Sequence, residues 1–151
     1  MRKQPGAATS PTGALTILSV SPIEEDHRCL QAIIGHSNWS FFKADSVSSA
    51  LAVLHQHEIS IVLCERDLET GTWIDFLENI ERLTRPPSLI VTSKLADERL
   101  WAEALNLGAW DVLAKPFDRS EVLRSVALAG VHWYHQTQTP ASSVKVMKVA
   151  S

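Results

Sequence analysis

The chain has 151 residues, of which 45% are hydrophobic and 21% are charged, and its formal net charge is −3. This balance is typical of one globular domain with a single core and excludes an intrinsically disordered chain. No block of basic residues indicates nucleic-acid binding, and the apolar runs are too short to cross a membrane. No apolar signal segment precedes the first predicted strand, so we expect a cytoplasmic protein.

The two ends of the chain differ in composition from the middle. Residues 1–13 are polar and rich in Pro, Thr and Gly, and 136–151 include the polar, proline-interrupted stretch QTQTPASS. Such segments bury too little apolar surface to fold. We therefore predict a disordered N-terminal tail, one domain over 14–135, and a flexible C-terminal tail.

Between the tails, short apolar runs alternate with amphipathic segments. The runs that predict strands are 15–20, 41–44, 59–64, 88–92 and 110–114. Helical patterns follow each run, beginning near residues 22, 46, 72, 96 and 118, with the last continuing through Trp133. Five such units predict an α/β fold with a doubly wound, five-stranded parallel sheet of the flavodoxin-like type. The functional site of such a sheet lies at the carboxyl ends of its strands, which are here Ser21, Ala44, Glu65, Ser93 and Lys115.

Two stretches carry a resemblance to a known family. GAWDVLAKPFDRSEV resembles the Gly-Ala and Lys-Pro-Phe signature of bacterial response-regulator receiver domains, and ISIVLCERDLETGTW resembles the strand and loop that hold their phosphate-accepting aspartate. The resemblance covers about residues 15–133. It implies that Glu65 stands at the acceptor position, Ser93 at the switch hydroxyl and Lys115 at the family's lysine. It also implies a cis peptide bond before Pro116 that turns Lys115 inward.

The departures from the family pattern affect its metal site. Receivers place an acidic pair after the first strand to help hold Mg²⁺, and these positions are Ser21 and Pro22 here. Magnesium prefers oxygen ligands, including carboxylates, so we expect Mg²⁺ binding to be lost or weak and predict no metal or other cofactor. The acids Glu24 and Glu25 are interpreted as favouring the positive end of the helix dipole, as is Asp26.

Glu65 is one methylene longer than aspartate. Misplacing a nucleophile by roughly 1 Å costs about 10²-fold in rate, so we predict that phosphotransfer to Glu65 is lost. With one carboxylate and one lysine left at the site, Glu65 and Lys115 are predicted to form a direct ion pair. Asp67 is the carboxylate that would rescue phosphorylation, although a solvated loop residue beside Arg66 is the favoured interpretation. His27 is predicted to lie on the helix surface.

Three tryptophans mark a candidate interface. Trp101, Trp110 and Trp133 fall on the fourth helix, fifth strand and fifth helix, a face that receivers often use for dimerisation or output. Packing in the core and at its edge is the somewhat favoured interpretation of these aromatic residues. Aromatic residues are also enriched in protein interfaces, so this face is the first place to look for a homodimer or for a protein partner, such as a histidine kinase or an output protein.

Three functions remain open at this point. The favoured one is a stand-alone receiver-like signalling module without enzymatic activity, which acts through protein contacts and needs no phosphorylation. The second is a working phosphoacceptor that a histidine kinase phosphorylates. The third is a small flavodoxin-like binding protein, which the architecture alone suggests.

Overall fold

The computed structural model describes residues 15–138. The predicted N-terminal tail, 1–13, lies outside the described residues, as does the predicted C-terminal tail apart from its first three residues. These three belong to the last helix, which continues to Gln138 instead of ending at Trp133. No helix breaker occurs between Trp133 and Pro140, so the helical hydrogen bonds continue past the apolar part of the pattern.

A five-stranded parallel sheet forms the centre of the described domain, with strand order β2-β1-β3-β6-β7. Its strands are β1 (Thr16–Val20), β2 (Ser40–Ala44), β3 (Ile61–Glu65), β6 (Ser88–Ser93) and β7 (Asp111–Ala114). The intervening strands β4 (Asp67–Leu68) and β5 (Gly71–Thr72) form a short antiparallel hairpin in the segment predicted to be a loop. The helices are α1 (Glu24–Ile34), α2 (Val47–Gln56), α3 (Trp73–Ile80), α4 (Glu98–Leu107) and α5 (Arg119–Gln138).

Apolar side chains cover the sheet on both faces, as predicted for a doubly wound fold. Helices α2, α3 and α4 pack on one face, and α1 and α5 pack on the other. Helix α3 shows how the local pattern produces this: Thr72 and Asp75 form a capping box, and Trp73, Phe76, Leu77 and Ile80 follow at helical spacing and are all buried. On the opposite face, Gly130 of α5 packs so closely on Leu15 that a Cβ atom would lie 2.6 Å from a Leu15 methyl carbon.

Helix starts differ slightly from the predictions, and one difference changes the site. Helix α1 begins at Glu24, after Ile23 in the N-cap position, and not at Pro22. Its buried residues are Asp26, His27, Leu30 and Ile34. The predicted surface position of His27 is therefore wrong, since this residue is only 3% exposed. No helix within 15–138 is long and apolar enough to cross a membrane.

Candidate functional site

The predicted strand-end residues meet at the carboxyl edge of the sheet. Glu65 is the last residue of β3 and pairs in register with Thr92 of the neighbouring strand β6. Ser93 is the last residue of β6, and its carbonyl accepts a hydrogen bond from the backbone N–H of Lys115 at 3.0 Å. The Lys115–Pro116 bond is cis, as the resemblance implied. Parallel pairing of three strands therefore positions Glu65, Ser93 and Lys115 side by side.

The ammonium group of Lys115 lies between two buried carboxylates. Nζ contacts Glu65 Oε1, which is the predicted ion pair, and it also donates to Asp26 Oδ2 at 2.5 Å. The Lys115 side chain is 6% exposed, and the two acidic side chains are each 8% exposed. The expectation of a single carboxylate at the site is therefore wrong, because Asp26 supplies a second one from the first turn of α1.

Ser21 orients Asp26. Its hydroxyl donates to Asp26 Oδ2 at 2.7 Å and accepts the backbone N–H of Ile23 at 3.0 Å. The position that lacks the family's acid thus holds a hydroxyl that binds a carboxylate five residues later in the chain. Glu24 and Glu25 differ from Asp26, because they form exposed ion pairs with Lys43 and Arg28, each at 2.9 Å.

His27 holds this turn in place through two hydrogen bonds. Its Nε2 lies 2.9 Å from the Ser21 carbonyl oxygen, and its Nδ1 lies 2.9 Å from the Ser19 hydroxyl. A carbonyl oxygen can only accept, so Nε2 carries the proton, and in the neutral ring Nδ1 accepts from Ser19. A buried side-chain network therefore ties the end of β1 to the first turn of α1, on which Asp26 depends.

The second oxygen of Glu65 is also engaged. Oε2 accepts the backbone N–H of Asp67 at 2.9 Å, at the start of the β4–β5 hairpin. The Asp67 carboxylate faces away, is 68% exposed, and pairs with Arg66 at 3.4 Å. This is the solvated loop position that was favoured for Asp67. Arg66 pairs with Asp67 and has no ion pair with Glu65 within the described residues.

The two carboxylates determine the charge state of Lys115. Burial by itself lowers the pKa of the Lys115 ammonium, but the hydrogen bonds to Asp26 and Glu65, together with their charges, raise it above its ordinary value of 10.5. Burial also raises the pKa of the Cys64 thiol, and the charge of neighbouring Glu65 adds to this effect. At neutral pH the site thus contains a protonated lysine and a neutral thiol.

A small open cavity of about 260 Å³ adjoins Glu65 and Lys115. Ser93 lies on its wall, and its hydroxyl accepts the backbone N–H of Leu95 at 3.0 Å. No hydrogen bond joins Ser93 to Glu65 in the part of the chain that the structure describes. The switch role that the resemblance implies for Ser93 stays a prediction.

The donor set fits Mg²⁺ poorly. Magnesium prefers octahedral oxygen ligands, usually one or two carboxylates with water and phosphate. Here one oxygen of each carboxylate contacts the Lys115 ammonium, and Pro22 offers no side-chain oxygen at all. Residues 15–138 contain no cluster of three or more His, Cys, Asp or Glu side chains suited to a metal ion.

The three tryptophans predicted for an interface have different surroundings. Trp101 of α4 is 41% exposed. Trp110, before β7, stacks on His132 with ring centroids 4.6 Å apart, and Trp133 lies under the guanidinium of Arg85 at 5.1 Å. The indole N–H of Trp133 is buried without a hydrogen-bond partner. Of these three, Trp101 is the one that presents a large apolar surface to solvent.

Asp26 is the functional residue that sequence reasoning missed. It precedes Leu30 by four residues and Ile34 by eight, so helical spacing places it on the apolar face of α1. Glu24 lacks this spacing, whereas Glu25 stands four and eight residues before Cys29 and Ile33. The signal was present, but acids in a first helical turn are also explained by the helix dipole.

Comparison with known proteins agrees with this geometry. The model of the response regulator receiver domain family matches residues 23–127. No curated protein is significantly similar to the chain in sequence.

Solved structures of receivers superpose on the whole domain. The signal receiver domain of an HD domain-containing protein from Pseudomonas fluorescens Pf-5 is 24% identical, with a TM-score of 0.76 over 83% of this chain and 93% of that one. A two-component response regulator from Clostridium difficile is 17% identical, with a TM-score of 0.70 over 76% and 94%. The chemotaxis response regulator CheY4 of Vibrio cholerae is 14% identical, with a TM-score of 0.70 over 77% and 98%. At these identities the structural likeness shows the fold, and the family match adds the membership. The chain therefore belongs to the response regulator receiver domain family and is a receiver-domain signalling module of a two-component system.

Proposed function

We propose that this receiver domain signals through protein contacts without requiring phosphorylation. The observation that carries the proposal is the state of Glu65, whose two carboxylate oxygens both accept from the protein's own donors, Lys115 and the Asp67 N–H. A nucleophile must point at the phosphorus from an in-line position. Glu65 is 7% exposed and is directed into this network, so it holds the strand ends together in place of accepting a phosphoryl group.

The charge at the site supports a fixed state. The Glu65 carboxylate supplies one negative charge to Lys115, where a phosphorylated side chain supplies nearly two. The ion pair and the Asp67 hydrogen bond join the end of β3 to the residue after β7 and to the β4–β5 hairpin. The domain would then offer one constant surface to its partners.

Phosphodonor treatment tests the proposal. The purified protein is incubated with acetyl phosphate and Mg²⁺, and in parallel with beryllofluoride, and is examined by intact-mass spectrometry and tryptophan fluorescence. Trp73 reports on the site, because its side chain is buried and its backbone N–H binds the Arg66 carbonyl beside Glu65. We expect no phosphoryl adduct and no fluorescence change.

Glu65→Asp is the matched variant. It keeps the charge and shortens the side chain to the length that receivers normally have. Phosphorylation of this variant alone would identify the extra methylene as the block. A stoichiometric adduct on the unmodified protein would contradict the proposal.

A working phosphoacceptor remains the second candidate. The observation that favours it is the second buried carboxylate, Asp26, which shares the Lys115 ammonium with Glu65. If an adduct forms, Glu65→Gln and Asp67→Asn identify the acceptor, since each removes one nucleophilic carboxylate. The family match favours either signalling function over a small flavodoxin-like binding protein.

For the partner surface we propose the side of the domain around the edge strand β7. Trp101 and Leu105 lie four residues apart on α4, and both are more than 40% exposed. Leu128 on α5 is 54% exposed, and it lies on the helix side between Ser125, which binds Asp111 of β7, and His132, which stacks on Trp110. We call Trp101, Leu105 and Leu128 the α4–β7–α5 surface.

A homodimer through this surface is the form that we expect first. Light scattering after size-exclusion chromatography measures the mass of the protein and of Trp101→Ser. Ile23→Ser is the matched control, because Ile23 is equally exposed, at 42%, but precedes α1. A dimer that Trp101→Ser alone dissociates supports the proposal. A dimer that survives Trp101→Ser places the interface elsewhere, and a monomer directs the search to a kinase or output protein.

A further inference from the structure

The charge of the site differs from that of a metal-binding receiver site. The latter gathers three carboxylates and one lysine, with a net charge of −2 that a divalent cation neutralises. Here Asp26 and Glu65 face Lys115 alone, so the net charge is −1. Less negative charge is therefore left for a divalent cation to neutralise.

We propose that the Lys115 ammonium is the permanent counter-ion of Asp26 and Glu65 and replaces the divalent cation, so that this receiver needs no metal until Lys115 is removed. The inference deepens the proposed function and rests on it, because a constant internal cation is what maintains a constant site. Once Lys115 is removed, Asp26, Glu65 and Ser21 would form a metal-binding site.

The geometry favours the internal cation over a free one. Lys115 contacts one oxygen of each carboxylate, and all three side chains are less than 10% exposed. An ammonium group held on the same chain has a high effective concentration at the site. Coulomb attraction is also stronger among buried groups than in water. A free cation must displace this group and lose part of its own hydration shell.

Removal of Lys115 reverses that balance. Lys115→Met would leave two adjacent buried carboxylates with a net charge of −2, the value of a metal-binding receiver site. Asp26 and Glu65 would offer carboxylate oxygens, and Ser21 a hydroxyl that already lies 2.7 Å from Asp26. Water in the 260 Å³ cavity beside Glu65 would complete the coordination of Mg²⁺ or Mn²⁺, which keep several water ligands in proteins.

Titration with Mn²⁺ tests the inference. Electron paramagnetic resonance measures free Mn²⁺, and thermal unfolding is compared in MgCl₂ and in NaCl of equal ionic strength. The unmodified protein should bind no Mn²⁺ at millimolar concentration, and its Tm should be the same in both salts. Lys115→Met should bind one Mn²⁺ per chain, and MgCl₂ should raise its Tm by several degrees, since a ligand that binds the folded state alone stabilises it.

Two further variants control for charge and for site. Lys94→Met removes an exposed lysine that lines the same cavity, and it should behave as the unmodified protein. Lys115→Met combined with Asp26→Asn should lose the Mn²⁺ bound by the single variant. Binding by Lys94→Met would mean that general charge, and not the vacated position, creates the site.

Each outcome bears on the inference. Mn²⁺ binding by the unmodified protein overturns it, and so does a folded Lys115→Met variant that binds none. If circular dichroism shows that Lys115→Met does not fold, Lys115→Gln takes its place. The titration of the unmodified protein still tests whether the domain binds a metal ion while Lys115 is present. Phosphorylation of the unmodified protein without Mn²⁺ binding would contradict the proposed function alone.

Discussion

The carboxyl edge of the sheet and the α4–β7–α5 surface differ in the exposure of their side chains. At the carboxyl edge, Lys115, Asp26 and Glu65 are buried and satisfy one another. At the α4–β7–α5 surface, Trp101 and its apolar neighbours are open to solvent. At the position where receivers carry out chemistry, the charged groups are already paired with one another. At the face that receivers often use to bind proteins, apolar side chains are exposed to solvent. This contrast supports the proposal that the domain signals through protein contacts.

Among these changes, removal of Lys115 should have the largest effect on the free energy of unfolding. Lys115→Met leaves two buried carboxylates without a counter-ion, so we expect the free energy of unfolding in a metal-free buffer to fall by about 3 kcal/mol. Urea denaturation measures it. Lys94→Met should change the value by less than about 0.5 kcal/mol, because Lys94 is exposed. Equal effects of the two variants would show that the buried site contributes no special stability.

Glu65→Gln should have an intermediate effect. The amide oxygen can still accept the Asp67 N–H, and Lys115 keeps Asp26, but the ion pair with β3 is lost. We expect a loss of about 2 kcal/mol in urea denaturation. Asp67→Asn is the control, since its ion pair with Arg66 is exposed and should contribute less than about 0.5 kcal/mol. A negligible effect of Glu65→Gln would contradict the structural role assigned to Glu65.

Alkaline pH should weaken the buried Lys115 site. The pKa of Lys115 is raised in the folded protein, so its contribution to stability is complete below the ordinary value of 10.5 and is lost as the pH rises through the folded pKa. Unfolding measured from pH 9 upward should therefore show a steeper decline for the unmodified protein than for Lys115→Met. Burial also raises the pKa of Cys64, but this thiol is present in both proteins, so the difference isolates Lys115.

Protonation of His132 should have the smallest effect, and it acts near the α4–β7–α5 surface. Burial lowers the pKa of His132 below its ordinary value of 6.5, and His135 adds to this shift. Stability should therefore decline slightly as the pH falls below 6.5, because the unfolded chain binds this proton more readily. His132→Phe keeps an aromatic ring against Trp110 and should remove that part of the decline in thermal unfolding. An unchanged decline would show that His132 does not contribute to it.

Much of the site was predictable because two kinds of information agree. Continuous apolar runs predict a parallel sheet, and parallel strands present their carboxyl ends at one edge. The resemblance to receiver domains then placed Glu65 and Lys115 at the acceptor and lysine positions of that edge, and the two side chains do meet. The burial of Trp73 and Phe76 followed in the same way from helical spacing.

Asp26 and the β4–β5 hairpin could not be predicted in the same way. A carboxylate in a first helical turn suits both the dipole and a site, and only the rotation of α1 against the sheet decides between them. The hairpin is held by two short strands whose pairing has no repeating pattern in the sequence. The surroundings of the tryptophans could not be predicted either, because Trp110 and Trp101 are the same residue type but have different neighbours in the fold.

Sequence alone determined the fold class, the family and the loss of the acidic pair at Ser21 and Pro22, because periodicity and residue identity are local properties. Tertiary structure decided that Ser21 orients a replacement acid, that Lys115 has two partners, and that both oxygens of Glu65 are engaged. These are contacts between residues up to 89 positions apart. Their energy depends on the distances and burial that packing imposes on groups of opposite charge.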